Sequence, residues 1–113
     1  MSSLIFNVFL SEKLIEKNFD VLVSNLDCKS LVGILFEKKV ISWSEMAELT
    51  EDKSGHRVNE KLLHLLAGKP LNTFRHFLEA LKRTKQNDIY SLLLEQGTYF
   101  DFLHIQHNYV PEV

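Results

Sequence analysis

Apolar residues recur along this chain at the spacing of α-helices. The plainest stretch is residues 57–83, RVNEKLLHLLAGKPLNTFRHFLEALKR. Val58, Leu62, Leu65 and Leu66 fall at i, i+4, i+7 and i+8, and Phe74, Phe77, Leu78 and Leu81 at i, i+3, i+4 and i+7. Either spacing lines up side chains on one stripe of a 3.6-residue helix. Between the two runs stands Gly68-Lys69-Pro70. Gly68 can take the left-handed conformation that ends a helix, and Pro70 suits the first turn of the next. The pattern predicts a helical hairpin with one apolar seam, which needs further helices to cover it.

The rest of the chain supplies them. A first helix is expected from near Ser3 to Leu26, with Ile15, Phe19, Leu22, Val23 and Leu26 on its inner stripe and room for a bend between its halves. Asp27 is a good N-cap for a second helix, where Cys28, Leu31, Val32, Leu35 and Phe36 repeat the stripe and Lys38 and Lys39 complement the dipole at its end. Ser42 followed by Glu45 is a capping box opening a third, short helix that ends around Glu51, with Met46 and Leu49 facing inward. Asp52 to Gly55 reads as a loop before the hairpin, and Thr84 to Asn87 as a polar break after it. Ile89, Leu92 and Leu93 begin a sixth helix that Gly97 should stop. Sustained alternation of period two is absent, so no sheet is expected. The expected fold is all-α, a six-helix antiparallel bundle over residues 1–96. Residues 97–113 follow as an aromatic tail (Tyr99, Phe100, Phe102, Tyr109), either folded back onto the bundle or leading to a further domain.

The 113 residues suit one domain, and the formal net charge of −2 gives no overall pull toward nucleic acid or anionic membranes. Its distribution is uneven. Formal charge is −1 over residues 1–26, −3 over 27–52, +6 over 53–85 and −4 over 86–113. A near-neutral total thus hides a basic third quarter. Cys28 is the single cysteine, which removes an internal disulfide and suits a reducing, cytoplasmic setting. The apolar start, MSSLIFNVFL, is too short to cross a bilayer and lacks a basic flank, so it is expected to be the first turns of a buried helix.

Two stretches carry a resemblance. LVGILFEKKVIS (31–42) and KLLHLLAGKPLNTFRHFLEALKRTKQNDIYSLLLE (61–95) resemble the caspase recruitment domain, a branch of the death-domain superfamily, in their succession of leucine runs, charged pairs and breaks. Two departures stand out: Lys39 where the family often has Gly, and Gly33 where many members carry an acid midway along the second helix. The resemblance implies a death-fold bundle that acts without catalysis and without cofactor or metal. It implies binding to another domain of the same kind, in a caspase, an adaptor or a nucleotide-binding oligomerisation protein, and assembly into filaments in apoptotic or inflammatory signalling. The charge distribution fits such binding. A basic face on helices one and four would hold Lys13, Lys17, Arg57 and Lys61, and an acidic face on helices two and three would hold Asp27, Glu37, Glu45 and Glu48.

The alternative is nucleic-acid binding by the basic hairpin, through Lys61, Lys69, Arg75, Lys82, Arg83 and Lys85. The negative total and the want of a base-reading row of Arg, Asn or Gln argue against it. His104 and His107 stand at i, i+3 but lack further ligands at metal-site spacing, while His56, His64 and His76 read as surface residues. Cys28 reads as a core residue, and Trp43 as either a lid on the core or an exposed anchor. A Gly-rich phosphate loop, a nucleophile elbow and a carboxylate pair are all missing, so an enzyme is not expected.

Overall fold

The computed structural model describes residues 11–69 and 71–96. Among them are helices and turns and no strand. The helical segments are α1 (11–17), α2 (Phe19–Asn25), α3 (Cys28–Glu37), α4 (Trp43–Glu51), α5 (Gly55–Ala67), α6 (Leu71–Arg83) and α7 (87–96). The helix expected from near Ser3 is therefore two segments, α1 and α2, and its predicted start lies outside the described residues. This raises the count among the described residues to seven.

Asn18 is the cause of the break. Its backbone sits at φ −110°, ψ 16°, and its N–H is shared between the carbonyls of Leu14 (3.3 Å) and Ile15 (3.2 Å). Its side-chain amide donates back to the Leu14 carbonyl at 2.8 Å, the local competition that makes Asn a poor interior helix residue. The same Nδ2 donates to Gln96 Oε1 at 2.7 Å, which ties the break to the end of α7.

The second predicted helix, α3, is the central element and packs against α4, α5 and α6. Asp27 caps it, accepting from the Ser30 N–H (3.4 Å) and Ser30 Oγ (2.6 Å). Cys28, Leu31, Val32 and Leu35 are buried, with Phe36 half-buried at the margin. Its far end closes in a Schellman motif. The Val40 N–H donates to the Leu35 carbonyl (2.9 Å), the Lys39 N–H donates to the Phe36 carbonyl (3.0 Å), and Lys39 takes φ 63°. A lysine thus occupies the left-handed position where glycine is usual. The end of α6 repeats the arrangement, with Lys85 at φ 63° and the Gln86 N–H donating to the Leu81 carbonyl at 2.9 Å.

The predicted capping box opens α4: the Glu45 N–H donates to Ser42 Oγ (3.1 Å), and the Ser42 N–H to Glu45 Oε1 (2.8 Å). In the hairpin, α5 begins at Gly55, already inside the predicted loop, with Ser54 as its N-cap. Val58, Leu62 and Leu66 are buried as the spacing requires, and Leu63 and Asn59 widen the stripe. Gly68 does not use the left-handed conformation open to it. At φ −91° it ends α5 in a tight turn, with the Lys69 N–H donating to the Leu66 carbonyl at 3.1 Å. Phe74, Phe77, Ala80 and Leu81 of α6 are buried, and the two phenyl rings meet at 5.7 Å between centroids. Residues Ile89 and Leu93 seat α7 on the same core, from a start two residues before Ile89.

Candidate charged interface

The turn between α4 and α5 organises the basic residues. Asp52, five residues before Arg57, is the hub. Its Oδ2 accepts from Arg57 Nε at 2.7 Å and lies 3.2 Å from Lys61 Nζ, and its Oδ1 accepts from Arg57 Nη2 at 3.1 Å and from the Ser54 N–H at 2.9 Å. The Arg57 hydrogen bonds, helped by Ser54 and Lys61, hold the Asp52 carboxyl well below the usual carboxylate range, against the opposing effect of burial. Arg57 is pushed further toward its charged form by the same bonds. The structure thus brings Arg57 and Lys61 together on consecutive turns of α5. Lys13 and Lys17 lie on α1, where Lys13 Nζ is 3.6 Å from Glu16.

The four acids do not form one cluster. Asp27 and Glu37 stand at opposite ends of α3, ten residues or about 15 Å apart along its axis. Asp27 is used as a cap, and its backbone is clasped by Gln86: the Asp27 N–H donates to Gln86 Oε1 (2.9 Å), and Gln86 Nε2 donates to the Asp27 carbonyl (3.3 Å). Glu37 faces Arg83 at 3.9 Å, and Glu45, besides its capping role, lies 4.0 Å from Lys69. The exposed Glu37–Arg83 pair contributes little, roughly 0–1 kcal/mol. Glu48 is exposed and has no ion pair among the described residues. Of the cations a nucleic acid would need, Lys61, Lys69 and Arg83 stand within 4.0 Å of carboxylates.

Three positions that shape these faces escaped the reading of the sequence. Asp52 lies in the predicted loop, although an acid two residues before a Ser N-cap and five before an Arg is a local signal. Gln86 fell in a polar break. Asn59 sits in the apolar stripe of α5, where its neighbours give no sign of a polar role. It is only 4% exposed, and its Nδ2 donates to the carbonyls of Val23 (2.8 Å) and Leu26 (2.9 Å) where α2 ends.

The remaining candidates resolve simply. Cys28 is buried, and burial first, then the Asp27 charge, pushes its thiol up to about 12, so it stays protonated and unreactive. Trp43 is 69% exposed and stands edge-on to the half-buried Phe36 ring, at 5.6 Å between centroids, so it is a surface aromatic and not a lid. His64 packs against Phe19 at 5.7 Å, and His76 Nδ1 lies 4.0 Å from Glu79. His104 and His107 lie outside the described residues, as does Pro70. Among the described residues no cluster of metal-ligating side chains occurs, and no helix is long and apolar enough to cross a membrane.

Comparison with known proteins completes the picture. The family model of the caspase recruitment domain matches residues 12–96. Caspase-2 of Gallus gallus is 34% identical over 85 residues, a stretch that covers 74% of this chain and 20% of that protein. This chain therefore spans about a fifth of the length of that relative.

Proposed function

The chain belongs to the caspase recruitment domain family, and from that premise we propose that it binds a second domain of its own kind through charged faces of opposite sign. The family is a homotypic protein-interaction module of apoptotic and inflammatory signalling, and the domain itself is not catalytic. In our reading residues 1–96 form the interaction unit, residues 97–113 are its aromatic tail or the start of a linker, and the unit works in the cytoplasm. The basic face is Lys13, Lys17, Arg57 and Lys61, and the acidic face is Asp27, Glu37, Glu45 and Glu48.

The observation that carries this reading is the Arg57–Asp52–Lys61 cluster at the head of α5. It sets two cations side by side with the Arg57 side chain 64% exposed, while Glu37 and Glu48 are exposed on α3 and α4. Two faces of opposite sign on one body favour head-to-tail contact, which extends unless a rotation closes it. Nucleic-acid binding has less support, because three of the six cations it would use, Lys61, Lys69 and Arg83, stand within 4.0 Å of carboxylates, and the formal net charge is −2.

Light scattering over a concentration series, at low and at physiological salt, tests the proposal. Assemblies that grow with concentration and dissolve with salt are expected. The double variant Arg57→Glu with Lys61→Glu should remain folded and lose them. Assembly that survives this charge reversal would refute the assignment of the basic face.

A further inference from the structure

Arg57 approaches Asp52 side-on. The two contacts, Nε to Oδ2 at 2.7 Å and Nη2 to Oδ1 at 3.1 Å, use the edge of the guanidinium that Nε and Nη2 share. With Lys61 Nζ at 3.2 Å and the Ser54 N–H at 2.9 Å, both carboxylate oxygens are filled, and the Asp52 side chain is only 8% exposed. The guanidinium is not filled. It has five N–H donors in a rigid plane, and Asp52 takes two of them. The other three lie on Nη1 and the outer side of Nη2, and no described residue accepts from them. That end-on edge has the spacing of a carboxylate's two oxygens.

We infer that Asp52 is a positioning residue: it fixes Arg57 as an end-on fork for one carboxylate of a second copy of this chain. The inference rests on the basic-face reading above and adds to it the device that makes the face selective. A long side chain that is free in solution loses rotamer freedom when it docks. Held beforehand by Asp52, Arg57 has already lost it, so less is lost on binding. Charge balance points to the same ligand. Arg57 and Lys61 carry two positive charges, Asp52 cancels one, and the remainder matches a single carboxylate. A second copy offers such a group in Glu48, exposed on α4 and without an ion pair among the described residues.

The test compares self-association of the full chain by sedimentation in the wild type, Asp52→Asn, Arg57→Lys and the Arg57→Glu/Lys61→Glu double variant, with circular dichroism to confirm folding. Asp52→Asn makes the face more positive, so a simple Coulomb account predicts tighter association. Positioning predicts the reverse: association weakened about three- to tenfold, through faster dissociation at an unchanged or raised association rate. Arg57→Lys keeps the charge, lacks the planar fork, and should weaken association comparably. If Asp52→Asn or Arg57→Lys associates as tightly as the wild type or more so, the inference is overturned while the basic face stands. If the double reversal has no effect, the basic-face reading itself fails. A wild type that stays monomeric at every concentration removes the second copy as partner and overturns the inference with it.

Discussion

Replacing Asn59 by alanine should destabilise the bundle by about 2–3 kcal/mol, and the figure follows from where its two hydrogen bonds go. The helix α2 ends at Asn25, and the donor that would extend it to the Val23 carbonyl, the Asp27 N–H, is turned instead to Gln86. Asn59 Nδ2 serves the Val23 and Leu26 carbonyls in its place, at 2.8 and 2.9 Å. Each bond is worth about 1 kcal/mol net, and stranding two shielded carbonyls adds to the loss. The Asn59 Oδ1 atom is itself buried without a partner among the described residues, so removing it returns roughly 1 kcal/mol. For a bundle of this size the net loss lowers the thermal midpoint by about 10–20 °C. Urea unfolding followed by circular dichroism would measure it, with the slope m expected to stay constant. Asn59→Leu separates volume from hydrogen bonding, since it restores bulk without donors and should recover little. Asn59→Asp should be worse than alanine at neutral pH, because a carboxylate would face two carbonyl oxygens. An alanine variant within about 0.5 kcal/mol of the wild type would refute the reasoning, since that is the range of an unimportant surface site.

Phe77→Ala, at a fully buried position of α6, should cost about 3–5 kcal/mol, read as a lowered urea midpoint. Native Cys28 should react with a thiol reagent at neutral pH only as fast as the chain opens, and promptly once urea unfolds it. Between the ordinary thiol range near 8.5 and about 12, the folded thiol stays protonated while the unfolded one ionises, so its contribution to stability is lost as pH rises through that window. Asp52 has the opposite sign. Its folded carboxyl is depressed, so its stabilisation is full above the ordinary carboxylate range near 4 and is lost as pH falls below it. The melting difference between the wild type and Asp52→Asn should therefore be constant at neutral pH and shrink in acid. Lys39→Gly and Lys85→Gly remove a side chain from a left-handed position and should each raise stability by about 0.5–1 kcal/mol in the same urea assay, after the extra entropy of glycine in the unfolded chain is allowed for.

What the sequence reveals about this fold is what depends on near neighbours. The stripes of α3, α5 and α6 are periodic within one helix, and the Ser42–Glu45 box closes over three residues, so they can be read directly from the string. The bend at Asn18 is half legible, because its bond to the Leu14 carbonyl is local and its bond to Gln96 is not. Asn59 acts on carbonyls 33 and 36 residues away and Gln86 on the Asp27 backbone 59 residues away, partners that no near neighbour marks, although Gln86 also donates locally to Thr84 Oγ1. Gly68 misled because residue type permits a conformation without requiring it, whereas Lys39 and Lys85 take the left-handed position that helix packing imposes on them. For the charged faces, the signs and the helices could be read, but not the pairing. Composition counts Arg57 and Lys61 as two positive charges, and only the folded turn shows Asp52 between them.

The hydrogen bond from Asn18 to Gln96 joins the kink beneath the basic face to the last described turn of the bundle, across 78 residues of chain. Read mechanically, it is a tie-rod. A polypeptide tethered beyond residue 96 and pulled would load α7 at its end, and the first element to bear the tension would be this one bond, ahead of the buried Ile89 and Leu93. The bend between α1 and α2 would lose its brace before the core yielded. Release of that tie would then free the segment carrying Lys13 and Lys17 to change its angle while the rest of the bundle still held its shape.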